Sequence, residues 1–360
     1  MYGMAEYDNT ADISYAINNL LPKFKQEKLQ DKYNETIEKI KMKSHISINR
    51  NKILLCDSVI LRCVDKLHLG ETHTFGNHKT ISTSEIRKTT YNKEQTITSC
   101  RIERQKPIEE IATYSPEEKL MLYILVSTYL KRIKNKHMLL SDNLTYIDLK
   151  DIHFLFGNSA EPKSNQKDKY INIINMFIHD NIKIYIGDDK HDNGNCDTFT
   201  KWFSYIKEIY DYYGNIIGYV YTFGKLGSRF FSSTNYPTRY IPYNQLSISN
   251  RNYKQFEIAR YLIYNITDRR KTIDIKTIMN DLFDYKNGKS YIDELTEQSN
   301  PGNIKYLKSF LNSLTSVLNN IKEMFMIKLY YDEEEVTDTQ IYANMKDYNK
   351  LYIKISSRTE

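Results

Sequence analysis

Three histidines, His68, His73 and His78, recur at steps of five in a polar stretch and come nearest to a metal-ligand pattern. Two imidazoles share an ion when they lie one helical turn apart, or on one face of a strand at alternate positions. A step of five fits neither spacing, so these residues read as solvated loop histidines. The acidic run Asp332-Glu-Glu-Glu335 could hold a cation, but a solvated turn suits it better. Cys56, Cys63, Cys100 and Cys196 are scattered without a CxxC pair, as expected of reduced, buried thiols in a cytosolic protein. The 12 glycines include no Walker-type loop, no His-hydrophobic-His pair is present, and 31 tyrosines are too many to single out a nucleophile. Neither enzymatic chemistry, nor a metal, nor a cofactor is expected.

What remains is the chemistry of recognition. Lys163, Asn165, Gln166, Lys167, Lys169 and Asn172 line the polar side of one amphipathic run. Asn303, Lys305, Lys308, Ser309, Asn312 and Ser313 do the same in a later one. Lysine offers charge to phosphate, while Asn and Gln pair with adenine edges. Arg229, Arg239 and Arg251 lie between the two runs with Tyr236 and Tyr240. Guanidinium groups there suit phosphate contacts, although pairing with neighbouring carboxylates is an equally ordinary role. An exposed helix in any Lys- and Asn-rich chain would look much like these two runs, so their meaning depends on the frame that holds them.

That frame is a repeat. Tyr146-Ile-Asp-Leu-Lys-Asp-Ile152 recurs as Thr272-Ile-Asp-Ile-Lys-Thr-Ile278. An apolar, Tyr-rich helical run precedes each copy, Glu117 to Ile133 and Tyr253 to Ile266. After each come a polar connection, an amphipathic run and an alternating strand, Ile182–Ile186 in one and Met326–Tyr330 in the other. In the first copy, Ser115-Pro-Glu-Glu118 starts the first helix, whose apolar face is Leu120, Tyr123, Ile124, Ser127 and Leu130. Asp148–Phe156 is then a short helix ended by Gly157, and Asn158–Asp168 a polar connection. Tyr170–Asp180 buries Ile173, Ile174 and Phe177. Phe199–Tyr213 and Ile216–Phe223 form a hairpin around Tyr-Gly-Asn, and an extended bridge with Pro237 and Pro242 follows Lys225–Arg229. In the second copy, Leu307, Phe310, Leu311, Leu314 and Leu318 face inward. Met326–Tyr331 and Leu351–Ile355 bracket a wing with Asp332–Asp338 at its tip. Such an order predicts an α+β chain of two tandem winged-helix domains, 115–229 and 230–360, in which the repeated element marks the short second helix.

Residues 1–114 precede them as a helical or mixed region. Asp12–Lys43 has helical spacing, and Ile53–Leu61 fits a helix or a buried strand. Thr72–Arg104 reads as irregular or β-rich, and Arg101–Pro107 as a linker. A length of 360 residues suits two or three domains, and 40% hydrophobic with 27% charged residues is a globular composition. A net charge of +6 permits nucleic-acid binding without requiring it. The polar, acidic start Met1–Tyr15 does not resemble a signal peptide, and no apolar run approaches a membrane span. A soluble cytoplasmic protein is expected.

The run Lys201-Trp-Phe-Ser-Tyr-Ile-Lys-Glu-Ile-Tyr-Asp-Tyr-Tyr-Gly-Asn-Ile-Ile217 resembles the W-x-S-x-I/V hairpin of iteron-binding plasmid replication initiators. The likeness extends over about residues 115–356. It departs from that family in the long N-terminal region, and in Ile258-Ala-Arg-Tyr-Leu262, where members often carry Arg-Leu-Tyr. The resemblance implies a sequence-specific double-stranded DNA-binding protein whose modules engage repeated origin sequences. Host replication proteins and a second copy in a homodimer are the further partners it implies. A winged-helix transcriptional regulator is the nearest alternative, and a structural protein that binds other proteins and no DNA is the more distant one. Three roles are open to residues 1–114: dimerisation, binding of a helicase loader, or a third DNA contact.

Overall fold

The computed structural model describes residues 31, 34–35, 52–56, 58–67, 70–91, 94–134, 144–158, 160–188, 197–231, 238–242, 255, 258–262, 270–275, 277–278, 312–319, 325–335 and 350–357. These residues form a mixed α+β protein with antiparallel sheets. The chain divides into two compact, discontinuous units. The first takes residues 1–58, 120–184 and 197–240, and the second takes 59–119, 185–196 and 241–360. Most of the expected N-terminal helix Asp12–Lys43 lies outside the described residues.

The run Ile53–Leu61, which crosses from the first unit into the second, is both strand and helix. Strand β1 (Lys52–Cys56) ends it on one side, and helix α1 (Val59–Lys66) takes over on the other. Helix α1 lies against β3 (His78–Tyr91) and β4 (Glu94–Pro107), burying Val59, Ile60, Cys63 and Val64. Cys63 and Cys100 are buried free thiols, and Cys63 Sγ–H donates to the Cys100 carbonyl at 3.3 Å. The Thr-rich stretch is a long hairpin, paired from His78↔Pro107 to Tyr91↔Glu94, with β2 (Glu71–Phe75) along its edge. Arg101–Pro107 is therefore strand and not linker. The reason is Arg104, which is buried, donates to the Ala112 and Thr113 carbonyls at 2.9 Å each, and stacks over Tyr114. A charged side chain withdrawn from water needs such partners, and here they tie the strand to the loop after it.

The first unit is built around α2 (Pro116–Lys134). Ser115 caps the helix as expected and forms a capping box with Glu118, Ser115 N–H donating to Glu118 Oε2 at 2.7 Å and Glu118 N–H to Ser115 Oγ at 3.3 Å. From Leu120 to Lys131 the helix is buried on every side, which exceeds the single apolar face its sequence suggested. Phe223 meets Tyr129, Phe203, Tyr221 and Phe231 at centroid distances of 5.1–5.7 Å. The Tyr221 hydroxyl donates to the Leu125 carbonyl at 2.7 Å. Trp202, the chain's single tryptophan, is fully buried edge-on to Phe177. Helix α5 (Gly224–Phe230) covers the run Lys225–Arg229 that precedes the expected bridge. A Cβ on Gly227 would lie 2.6 Å from the Tyr129 ring, so glycine is needed there for close packing.

The repeated element has the same place in both copies. Tyr146, Ile147 and Asp148 end strand β5 (Thr145–Asp148), and Asp148 caps α3 (Leu149–Leu155) by accepting the Lys150 N–H at 2.8 Å. The element is therefore the end of a strand, a helix cap and the first turn of the short helix, where the sequence suggested helix throughout. Strand β5 pairs with β9 (Ile216–Thr222), which pairs in turn with β8 (Tyr205–Tyr210), giving the order β5-β9-β8. In the second copy, β11 (Arg270–Asp274) pairs with β14 (Leu351–Ser357). The latter pairs with β12 (Phe325–Tyr331), and the order is β11-β14-β12 with β13 (Glu334–Glu335) beyond. Ile273, Ile353 and Leu329 make one buried row across it.

One equivalence drawn from the sequence fails here. Ile182–Ile186 was expected to match Met326–Tyr330, but the place of β12 is taken by β8. Strand β6 (Asn181–Asp188) has Ile182, Ile184 and Ile186 all buried, and joins the sheet β2-β3-β4-β6-β7, with β7 spanning Asp197–Phe199. Alternation signalled a half-buried strand correctly but carried no information about its neighbour.

Two outcomes test this packing. A Cβ on Gly218 would lie 2.4 Å from the Ile147 carbonyl oxygen, so Gly218→Val should cost about 3 kcal/mol of stability, read from urea denaturation by Trp202 fluorescence. Burial lowers the Lys131 pKa to about 8, so its ammonium opposes folding in full below about pH 8. That penalty is relieved as the pH rises toward the ordinary value of 10.5. Lys131→Met should raise the melting temperature at pH 7, and its advantage should shrink above pH 8.

Candidate nucleic-acid interface

The polar residues singled out in the first copy gather on one helix, α4 (Ser164–Ile178). It starts well before the expected Tyr170, because the Lys163 N–H donates to Gln166 Oε1 at 2.9 Å and so caps the first turn. Asn158–Asp168 is thus partly helix. Tyr170, Ile173, Ile174 and Phe177 form the buried stripe. Opposite them, Asn165, Lys169 and Asn172 are exposed at helical spacing, with Asp168 beside them and Lys163 at the cap. Gln166 and Lys167 are half-buried, and the Gln166 oxygen is occupied by the cap. Three lysines against one aspartate leave this end of the helix cationic, where its first N–H groups also favour an anion.

Helix α3 sets the angle at which α4 is offered. It closes at Phe156, and Gly157 follows with φ +86°, its N–H donating to the Phe154 carbonyl at 2.9 Å. Asn158 Nδ2 donates to the His153 carbonyl at 3.2 Å, which holds the start of the connection. Between the helices, the Tyr170 hydroxyl and Nδ1 of His153 share a hydrogen bond of 2.7 Å, and Tyr170 lies 5.0 Å from the Phe156 ring. Burial holds the His153 imidazole below its ordinary pKa, and Glu161 opposes that shift more weakly. His153 is therefore a packing group of the helix pair, kept neutral by its surroundings.

In the second copy, residues 312–319 are helical, with Leu314, Val317 and Leu318 buried. Asn312 is exposed. Ser313 is buried, so it faces the core with Leu314 and offers no hydroxyl to a groove. Asn303, Lys305, Lys308, Ser309, Arg251 and Tyr236 lie outside the described residues, as do Leu307, Phe310 and Leu311. The backbone places Arg229 in α5 and Arg239 and Tyr240 in β10 (Thr238–Pro242), while their side chains lie outside the described residues.

One surface group was not singled out from the sequence. Tyr213, at the turn between β8 and β9, is 75% exposed. The turn was legible as Tyr-Gly-Asn, but which of its adjoining tyrosines points outward depends on the packing of Tyr212. Other tyrosines turn inward: burial raises the Tyr210 phenol to about 12, helped by the hydrogen bond and charge of Glu208. Burial likewise raises Tyr129 to about 12. Among the described residues, no group of three or more His, Cys, Asp or Glu side chains is placed to hold a metal ion, and no helix is long and apolar enough to cross a membrane.

No protein-family model, curated protein or solved structure matches this chain.

The His153 environment gives a pH dependence with a definite sign. Below the ordinary value of 6.5 the unfolded chain takes up a proton that the folded one resists, so stability is complete above that pH and is lost as it falls. Thermal unfolding followed by Trp202 should show this acid loss, and His153→Gln should flatten the part of the curve just below pH 6.5.

Proposed function

We propose that the chain is a non-enzymatic, sequence-specific double-stranded DNA-binding protein built from two winged-helix modules, acting as replication initiator of a plasmid or similar element. The observation that carries this reading is the common strand order of the two copies. In each, the strand holding the repeated element pairs with the last strand of the hairpin, giving β5-β9-β8 and β11-β14-β12. A winged helix requires that closure, because the first strand must cover the hairpin while the helices pack on the other face. The cationic, Asn-bearing face of α4 supports the same reading, since exposed lysines and amides suit phosphates and adenine edges.

The mechanism is binding energy rather than bond-making. Two helices engage successive major-groove faces of one site, and phosphate contacts fix their register. Bending or opening of neighbouring AT-rich DNA then favours the loading of host replication proteins.

A footprint of the purified chain on DNA flanking its own gene tests the proposal. Protection of direct repeats in two adjacent major grooves is the expected result, and no protection at low salt overturns it. On a protected site, Lys169→Ala should weaken binding to all sequences alike and lower the salt slope by about 1. Asn172→Ala should instead cost about 1–3 kcal/mol and relax preference at one base pair.

A further inference from the structure

We infer that the tip of the β8–β9 hairpin is a wedge for duplex DNA, with Tyr213 entering the minor groove and unstacking a base step; this rests on the DNA-binding function proposed above. The turn is held from several directions. Asp211 Oδ1 accepts the Tyr213 N–H at 2.9 Å and the Asn215 N–H at 2.8 Å, and Asn215 Nδ2 donates to Asp211 Oδ2 at 3.0 Å. The Asp211 N–H donates to the Asn215 carbonyl at 2.8 Å, and Gly214 takes the left-handed φ of +81° that the turn needs. Beneath it, Tyr212 packs against the buried cluster Leu144, Tyr146, Ile209 and Val220. Tyr212 also stands edge-on to Tyr213, with 5.3 Å between ring centroids.

Tyr213 is thus a large apolar ring, three-quarters exposed, on a backbone with little freedom left to lose on binding. A single exposed aromatic is ordinary on a surface. An aromatic raised on a fixed tip has the form of the apolar wedges by which minor-groove proteins part a base step. Any base offers a face to such a ring, so insertion is tolerant of sequence and easiest at flexible TA steps. The Asp211 carboxylate is engaged by the turn itself.

The second copy supplies the contrast. The described turn after its β12 has Asp332 and Glu333 in the left-handed region, followed by exposed Glu334 and Glu335. Lys350 and Lys328 pair with Asp332 and Glu335 at 2.8 and 2.6 Å, leaving more acid than base. Phosphate repels that acidic turn. Among the described residues, the turn after β12 therefore differs in chemistry from the β8–β9 turn.

The test uses the full chain with a poly(dA-dT) duplex in which some adenines are replaced by a fluorescent analogue that brightens when unstacked. Wild type should bind and raise the emission several-fold. Tyr213→Ala should bind with less than about tenfold loss, because stacking gain and unstacking cost nearly offset, yet lose the rise. Tyr213→Trp should keep it, and unchanged near-ultraviolet circular dichroism of Tyr213→Ala would verify its fold. Binding with an equal rise in Tyr213→Ala, or with none in wild type, overturns the wedge while leaving DNA binding intact. Absence of binding by wild type to this duplex overturns the wedge, while the footprint on flanking DNA decides the DNA-binding reading separately.

Discussion

In each copy of the repeat, a short strand must have its open edge covered by a strand that arrives much later in the chain. Strand β5 meets β9 at Ile147↔Tyr219 and Asp148↔Gly218, and β11 meets β14 at Ile273↔Ile353. The short strand gains nothing by itself, since an isolated strand cannot satisfy its backbone or bury its apolar face. Once paired, it fixes the cap at Asp148, the cap starts α3, and α3 orients α4 through His153 and Tyr170. The exposed amides and lysines of α4 are the last step in that dependence. Gly218 matters because it lets the backbones approach.

The two copies share this closure and diverge in what they display. The first presents a cationic helix face and an aromatic hairpin tip; the second presents, after β12, an acidic turn formed by two non-glycine residues in the left-handed region. Asp tolerates that conformation better than most residues, and Glu less so, which makes Glu333 a costly choice for a turn. Duplication followed by divergence at the surface, with the strand order retained, is the economical description of such a pair.

Sequence patterns located most of the elements and some of their limits. The buried stripe Ile173, Ile174 and Phe177, the start at Ser115 and the stop at Gly157 were all legible, because each rests on local rules of period, capping or left-handed backbone. Local rules could not reveal partners. The alternation in Ile182–Ile186 is identical whether its neighbour is β4 or β9, and Arg104 reads as a linker charge until Ala112, Thr113 and Tyr114 are seen around it. The candidate face fared similarly. Asn165, Lys169 and Asn172 follow from helical spacing, whereas Ser313 falls on the wrong side of its helix by a single position.

The buried ion pair between Asp65 of α1 and Arg260, which lies in the helical stretch 258–262, carries a consequence for how the polypeptide is made. The two residues belong to the same unit yet come from opposite halves of the chain. On the ribosome, α1 and the β3–β4 hairpin emerge long before Arg260. An excised fragment beginning at residue 230 would lack the Asp65 carboxylate, and removing one partner of a buried ion pair destabilises by about 3–5 kcal/mol. The second unit is thus completed only when residues from both halves of the chain are present, and residues 59–119 are part of its architecture rather than an appendage.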